Sequence, residues 1–114
     1  MIKVQVKPLS VNQAWKGRRY KTDMYKRFEI DCFKLLPRKI EIPEGQLAIA
    51  IEFGHSSGNS DFDNGVKPFV DILQKKYQFN DNRIKLACIV VNNDVKKGQE
   101  YIRFKIESYD KAVA

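Results

Sequence analysis

The chain is poor in the residues that most often carry chemistry. It has one histidine, His55, and two cysteines, Cys32 and Cys88, with no CxxC or HxxxH spacing, which argues against a zinc site. Both cysteines fall inside apolar-patterned segments, so the sequence predicts two buried thiols in place of a disulfide or a metal pair. Long apolar runs are missing too. The stretch from Gln46 to Phe53 stops well short of the ~20 residues of a membrane span. The N-terminus alternates Ile2, Lys3, Val4, Gln5 and Val6 and lacks the charged-then-apolar pattern of a secretory signal, so a cytoplasmic protein without membrane contact is expected. With histidine and cysteine set aside, any chemistry falls to carboxylates and lysines.

Charge is what the chain has in quantity. In 114 residues, 21 Lys and Arg stand against 14 Asp and Glu, a net charge of +7. The length allows one domain with one core, spanning 1–114. A small domain so basic suits a polyanionic partner, because each neutralised phosphate releases condensed counterions.

The hydrophobic pattern predicts a strand at Ile2–Val6 closed by Pro8, a loop from Leu9 to Lys21, and a helix from Asp23, capped by Thr22, to about Leu36. Alternation at Leu47, Ile49, Ile51 and Phe53 predicts a second strand, and the polar run from Gly54 to Ser60 predicts a connection leading into Asp61. A second helix with the stripe Val66, Phe69, Val70 and Leu73, capped by Asp63 or Asn64, ends near Tyr77, with Pro68 tolerable in or next to its first turn. Asn80-Asp81-Asn82 is a turn signal. The β-branched run Ile84–Val91 reads as a central strand, 92–98 as a hairpin-type connection, and Ile102, Phe104 and Ile106 as the inner face of a last strand. The order β-α-β-α-β-β defines an α+β domain with two helices packed on a mixed sheet.

The informative stretch runs Asp61-Phe62-Asp63-Asn64-Gly65-Val66-Lys67, then Asp71, then Asp81. Carboxylates two residues apart can point into one small volume, where they repel unless a cation lies between them. Mg²⁺ takes oxygen ligands and accepts one or two carboxylates plus water and phosphate oxygens. Asp81, arriving from the next turn, would complete an acidic cup of the kind metal-assisted phosphodiester hydrolysis uses. Lys67 follows Asp63 by four residues. It is either a surface ion pair worth ~0.3–0.5 kcal/mol or a cation that neutralises charge on a scissile phosphate. Asp71, four residues further, could orient it. An EF-hand is excluded because no register puts Gly at position six and Glu at position twelve. Read without a ligand, Asp61, Asp63 and Asn64 are helix-capping residues after a polar loop.

The order of these residues resembles the motif of the RusA family of Holliday junction resolvases: aspartate, any residue, aspartate, asparagine, two residues, lysine, an aspartate shortly before a leucine, then an aspartate-bearing turn. The matching residues are Asp61, Asp63, Asn64, Lys67, Asp71 with Leu73, and Asp81. Pro8, Ser10, Asn12, Trp15 and the basic stretch to Lys21 resemble the family's N-terminal loop, so the likeness runs from Ile2 to Glu107. It implies a small homodimeric, Mg²⁺-dependent crossover junction endodeoxyribonuclease of DNA recombination and repair, bacterial or phage- or prophage-encoded, in which Mn²⁺ substitutes for Mg²⁺. Asp61, Asp63 and Asp81 would hold the metal and Lys67 would assist catalysis, with Asn64 and Asp71 in support. Lys16, Arg18, Arg19 and Lys21 would contact the phosphates of a four-way junction. Two departures stand out: Asn80 where the family often has a second acid, and Ser60 where it often has a cation. The alternative is a non-catalytic, basic DNA-binding protein that keeps the same fold.

Overall fold

A computed structural model describes residues 1–16, 20–58 and 61–114 of the chain. Its elements are β1 (Ile2–Val4), α1 (Val11–Ala14), β2 (Trp15–Lys16), β3 (Tyr20–Lys21), α2 (Asp23–Leu35), β4 (Leu47–Gly54), α3 (Val66–Tyr77), a 3₁₀ turn (Asp81–Arg83), β5 (Ile84–Asn92), β6 (Tyr101–Ser108) and α4 (Tyr109–Val113). The larger elements, β1-α2-β4-α3-β5-β6, follow the expected order, and the α+β class holds. The four-stranded sheet runs β1-β6-β4-β5 and is mixed: β6 is antiparallel to β1 and β4, while β5 is parallel to β4.

Alternation along β4 decides where the core lies. Leu47, Ile49, Ile51 and Phe53 are buried on one face. They join Tyr25, Phe28 and Cys32 of α2, Phe69, Ile72 and Leu73 of α3, and Ile102 and Phe104 of β6 in a single apolar cluster. Phe69 and Phe104 meet edge to face, 5.4 Å between centroids, which locks α3 onto the sheet. Helix α2 starts where Thr22 Oγ1 accepts the Tyr25 backbone N–H at 3.1 Å. Helix α3 ends at Gln78, whose φ of 58° turns the chain left-handed.

Several details depart from the sequence reading. Strand β5 lies at an edge of the sheet and not at its centre, because β6 inserts between β1 and β4. The 92–98 connection is therefore no hairpin; it carries the chain across β4. Cys88, on β5, is exposed, while Cys32 is buried as expected. The expected Leu9–Lys21 loop contains α1, opened by a capping box between Ser10 and Gln13, and the two-residue β2–β3 ladder. The cap of α3 is Gly65, with no side-chain bond from Asp63 or Asn64. Pro68 occupies its first turn, where the missing N–H leaves no bond unmade. Helix α4 carries no apolar period long enough to be read in advance.

Candidate metal and phosphate site

The Asp61–Gly65 segment is a series of tight turns between β4 and α3. The Asn64 N–H donates to the Asp61 carbonyl (3.3 Å) and the Val66 N–H to the Asp63 carbonyl (3.1 Å). The Asn64 carbonyl accepts from the Val11 N–H (2.8 Å), which fastens the motif to the start of α1. Gly65 is required here for space. A Cβ at this position would stand 2.9 Å from the Phe53 ring, so only glycine lets the turn settle on the core. The result places the carboxylates of Asp61 and Asp63 in solvent. Among the described residues neither enters an ion pair or a side-chain hydrogen bond.

Lys67, Asp71 and Asp81 do come together. They border an open cavity of about 340 Å³ whose floor is Ile49, Val66, Val70, Ile84 and Ala87. Lys67 Nζ lies 3.6 Å from Asp71 Oδ2, one helical turn on. Because α3 begins at Val66, Asp63 stands before the helix, and the ion pair of Lys67 runs forward to Asp71. Gln74 links the other two. Its amide donates to Asp71 Oδ1 (3.3 Å), and its carbonyl oxygen accepts the Asp81 backbone N–H (2.8 Å), fixing the start of the 3₁₀ turn. Asn80 caps that turn by accepting the Asn82 N–H (2.9 Å), a local role for the asparagine at the position where an acid was anticipated. The cavity excludes Asp61 and Asp63, and among the described residues no three carboxylate, histidine or cysteine side chains converge as a preformed metal cage.

The basic segment divides. Lys16 and Lys21 lie on the β2–β3 ladder, with Lys16 opposite Tyr20 and Lys21 opposite Trp15. Arg18 and Arg19 lie outside the described residues. The Lys21 ammonium is engaged inside the fold, 3.0 Å from Glu29 Oε2 and 5.0 Å from the centre of the Tyr25 ring. Lys75 reaches the same Glu29 oxygen at 2.7 Å. Burial pushes the Glu29 carboxyl upward, but the hydrogen bonds from Lys75 and Lys21 outweigh it and hold Glu29 below its ordinary value. Beside this group Tyr25 is pushed up to about 12, chiefly by burial and then by the charges of Asp71 and Glu29.

Sequence reasoning passed over one part of the neighbourhood. A polar cleft of about 190 Å³ lies behind the motif turn, bordered by Asn64, Gly65, Ser10, Gln13, Lys7, His55 and Glu100. His55 stacks on Phe53, and burial lowers its pKa despite the opposing pull of Glu100. The signal available in advance was only the polar run after β4, which does not say that the chain from β1 and the turn before β6 meet it. Comparison with known proteins returns no matching family model and no matching curated sequence.

Proposed function

We propose that the chain is a Mg²⁺-dependent endodeoxyribonuclease that acts on branched DNA, resolving four-way junctions by paired nicks. The observation that carries this reading is the gathering of Lys67, Asp71 and Asp81 around one open cavity that runs along α3, the helix that Asp61 and Asp63 directly precede. The donors fit the ion in kind, though they form no preformed cage: exposed carboxylate oxygens, without an ion pair among the described residues, are the hard ligands Mg²⁺ prefers. Asp61, Asp63 and Asp81 would hold it. Bound there, Mg²⁺ would supply Lewis-acid activation of water and would neutralise charge on the phosphate.

Each protein group then has a distinct task. Asp71 orients the Lys67 ammonium at the cavity rim, where it can meet a non-bridging phosphate oxygen as charge develops there. Val66, Val70 and Ile49 make the floor beneath it apolar. Lys16, Arg18 and Arg19 provide phosphate contacts that position the DNA without reading its bases. Two cuts of like polarity call for two copies related by a two-fold axis, so the working species in this reading is a homodimer.

The test is cleavage of a labelled four-way junction by the purified chain in Mg²⁺ and in EDTA, beside a linear duplex of the same sequence. Metal-dependent nicking restricted to the junction is the expected result. Salt-sensitive binding without cleavage would favour a non-catalytic DNA-binding protein, a reading favoured by the lack of a preformed three-ligand cage among the described residues.

A further inference from the structure

Helix α2 carries more apolar surface than its packing uses. Tyr25, Phe28 and Cys32 face the core, yet Ile30 and Phe33 are 52% and 38% exposed. Three residues apart, these two share one flank of the helix. With Glu29, Lys34 and the α3 residue Lys75 they line an open groove of about 380 Å³. Lysines gather around this apolar strip. Lys76 holds its ammonium 5.3 Å from the centre of the Phe33 ring and donates to the Phe33 carbonyl at 2.8 Å. Lys21 and Lys75 share the single carboxylate of Glu29. Neither Lys34 nor Lys76 forms an ion pair among the described residues. Four ammonium groups therefore stand against one carboxylate beside two exposed apolar side chains.

We infer that this groove docks an acidic peptide segment of another protein, with an apolar side chain of the segment seated on Ile30 and Phe33 and its carboxylates meeting Lys34 and Lys76. Charge selects this occupant. A second copy of the chain would bring a net charge of +7 and the same lysines, so the two grooves would repel. The phosphates of a nucleic acid would satisfy the lysines and leave the apolar strip without a partner. A neutral apolar segment would cover the strip and leave the positive charge unanswered. A segment with both kinds of side chain answers both features, the charges steering the encounter and apolar burial holding the complex. Glu29 does not repel it, because Lys21 and Lys75 already cover that carboxylate. The groove shares no lining residue with the cavity at Lys67, Asp71 and Asp81, so the inference stands apart from the nuclease reading.

The test is fluorescence anisotropy of the full chain with a labelled synthetic peptide, a short run of aspartates and glycines carrying one Ile-Phe pair. Binding should be weak, with a Kd on the order of 10–100 μM as suits a small interface, and should weaken further as salt rises. Replacing the Ile-Phe pair by serines, or every aspartate by asparagine, should each reduce affinity roughly tenfold or more. On the protein, Ile30→Ser and Lys34→Glu change exposed side chains and should each cost a similar factor while the circular dichroism spectrum stays that of the parent. Lys97→Glu removes an equally exposed lysine that lines none of this groove and should bind like the parent, which separates docking here from attraction to net charge. Three results would overturn the proposal: no binding at ~1 mM peptide, Ile30→Ser binding as tightly as the parent, or Lys97→Glu costing as much as Lys34→Glu. So would equal binding by the peptide without its Ile-Phe pair and by duplex DNA, both lost in Lys34→Glu, since the lysines would then form a polyanion contact.

Discussion

Two groups of charges sit within a few turns of each other and are treated in opposite ways. Around Glu29, two lysines from β3 and α3 converge on one partly buried carboxylate and satisfy it. Before and after α3, Asp61, Asp63 and Asp81 remain exposed, and Lys67 in the helix's first turn is paired with Asp71 at a looser 3.6 Å. The first group ties β3, α2 and α3 together. The second does little for the fold and leaves its oxygens available to a ligand. Charge satisfied within the chain serves stability; charge left exposed beside a cavity is what a binding site requires.

Substitutions should separate the two groups cleanly. Asp61→Asn or Asp63→Asn should abolish junction cleavage while leaving the melting temperature unchanged and junction binding equal or tighter, since a ligand is removed but repulsion of the DNA backbone falls. Full nicking by either variant in Mg²⁺ would remove the metal assignment. Lys67→Ala should slow single-turnover cleavage at saturating junction by roughly 10²-fold, the scale of a preorganised charge acting on a transition state, with Lys67→Arg less impaired. Cleavage within threefold of the parent would make Lys67 a surface partner of Asp71 and nothing more.

Weaker effects are expected from the cations. Arg18→Ala with Arg19→Ala should flatten the dependence of log affinity on log salt by about 0.9 for each phosphate that is no longer neutralised on duplex arms. An unchanged slope would assign those arginines to solvent. Lys21, already held by Glu29, should contribute less to that slope than either arginine. The smallest effect belongs to Glu29→Gln, about 1 kcal/mol of stability for partly exposed pairs, with cleavage unaffected. Its pH signature has a definite sign. Glu29 is held below its unfolded value of 4.5, so its contribution is present above that pH and is lost as pH falls below it. The variant's acid unfolding should lack that part of the slope.

The outline of this fold was legible because its main elements carry clear periods: Thr22 before Tyr25 and Phe28 announces α2, and the alternation of Leu47 through Phe53 announces β4. Their neighbours in space were not. Ile84–Val91 has the composition of a central strand, and nothing local records that β6 returns between β1 and β4 to leave it at an edge. Gly65 shows the same limit. A glycine after Asp63 and Asn64 reads as ordinary turn chemistry, and its need appears only once Phe53 lies beneath it. At the site, the spacing of Lys67 and Asp71 foretold their pairing. The Glu29 bridge between Lys21 and Lys75, 8 and 46 residues away, could not be read from any window of sequence.

The most direct measurement is the position of a metal ion in crystals of the chain soaked in Mn²⁺, located by its anomalous scattering. The account predicts a peak bounded by the carboxylates of Asp61, Asp63 and Asp81, absent in Asp63→Asn. No peak there at a Mn²⁺ concentration that supports cleavage, or a peak held by other residues, would contradict it.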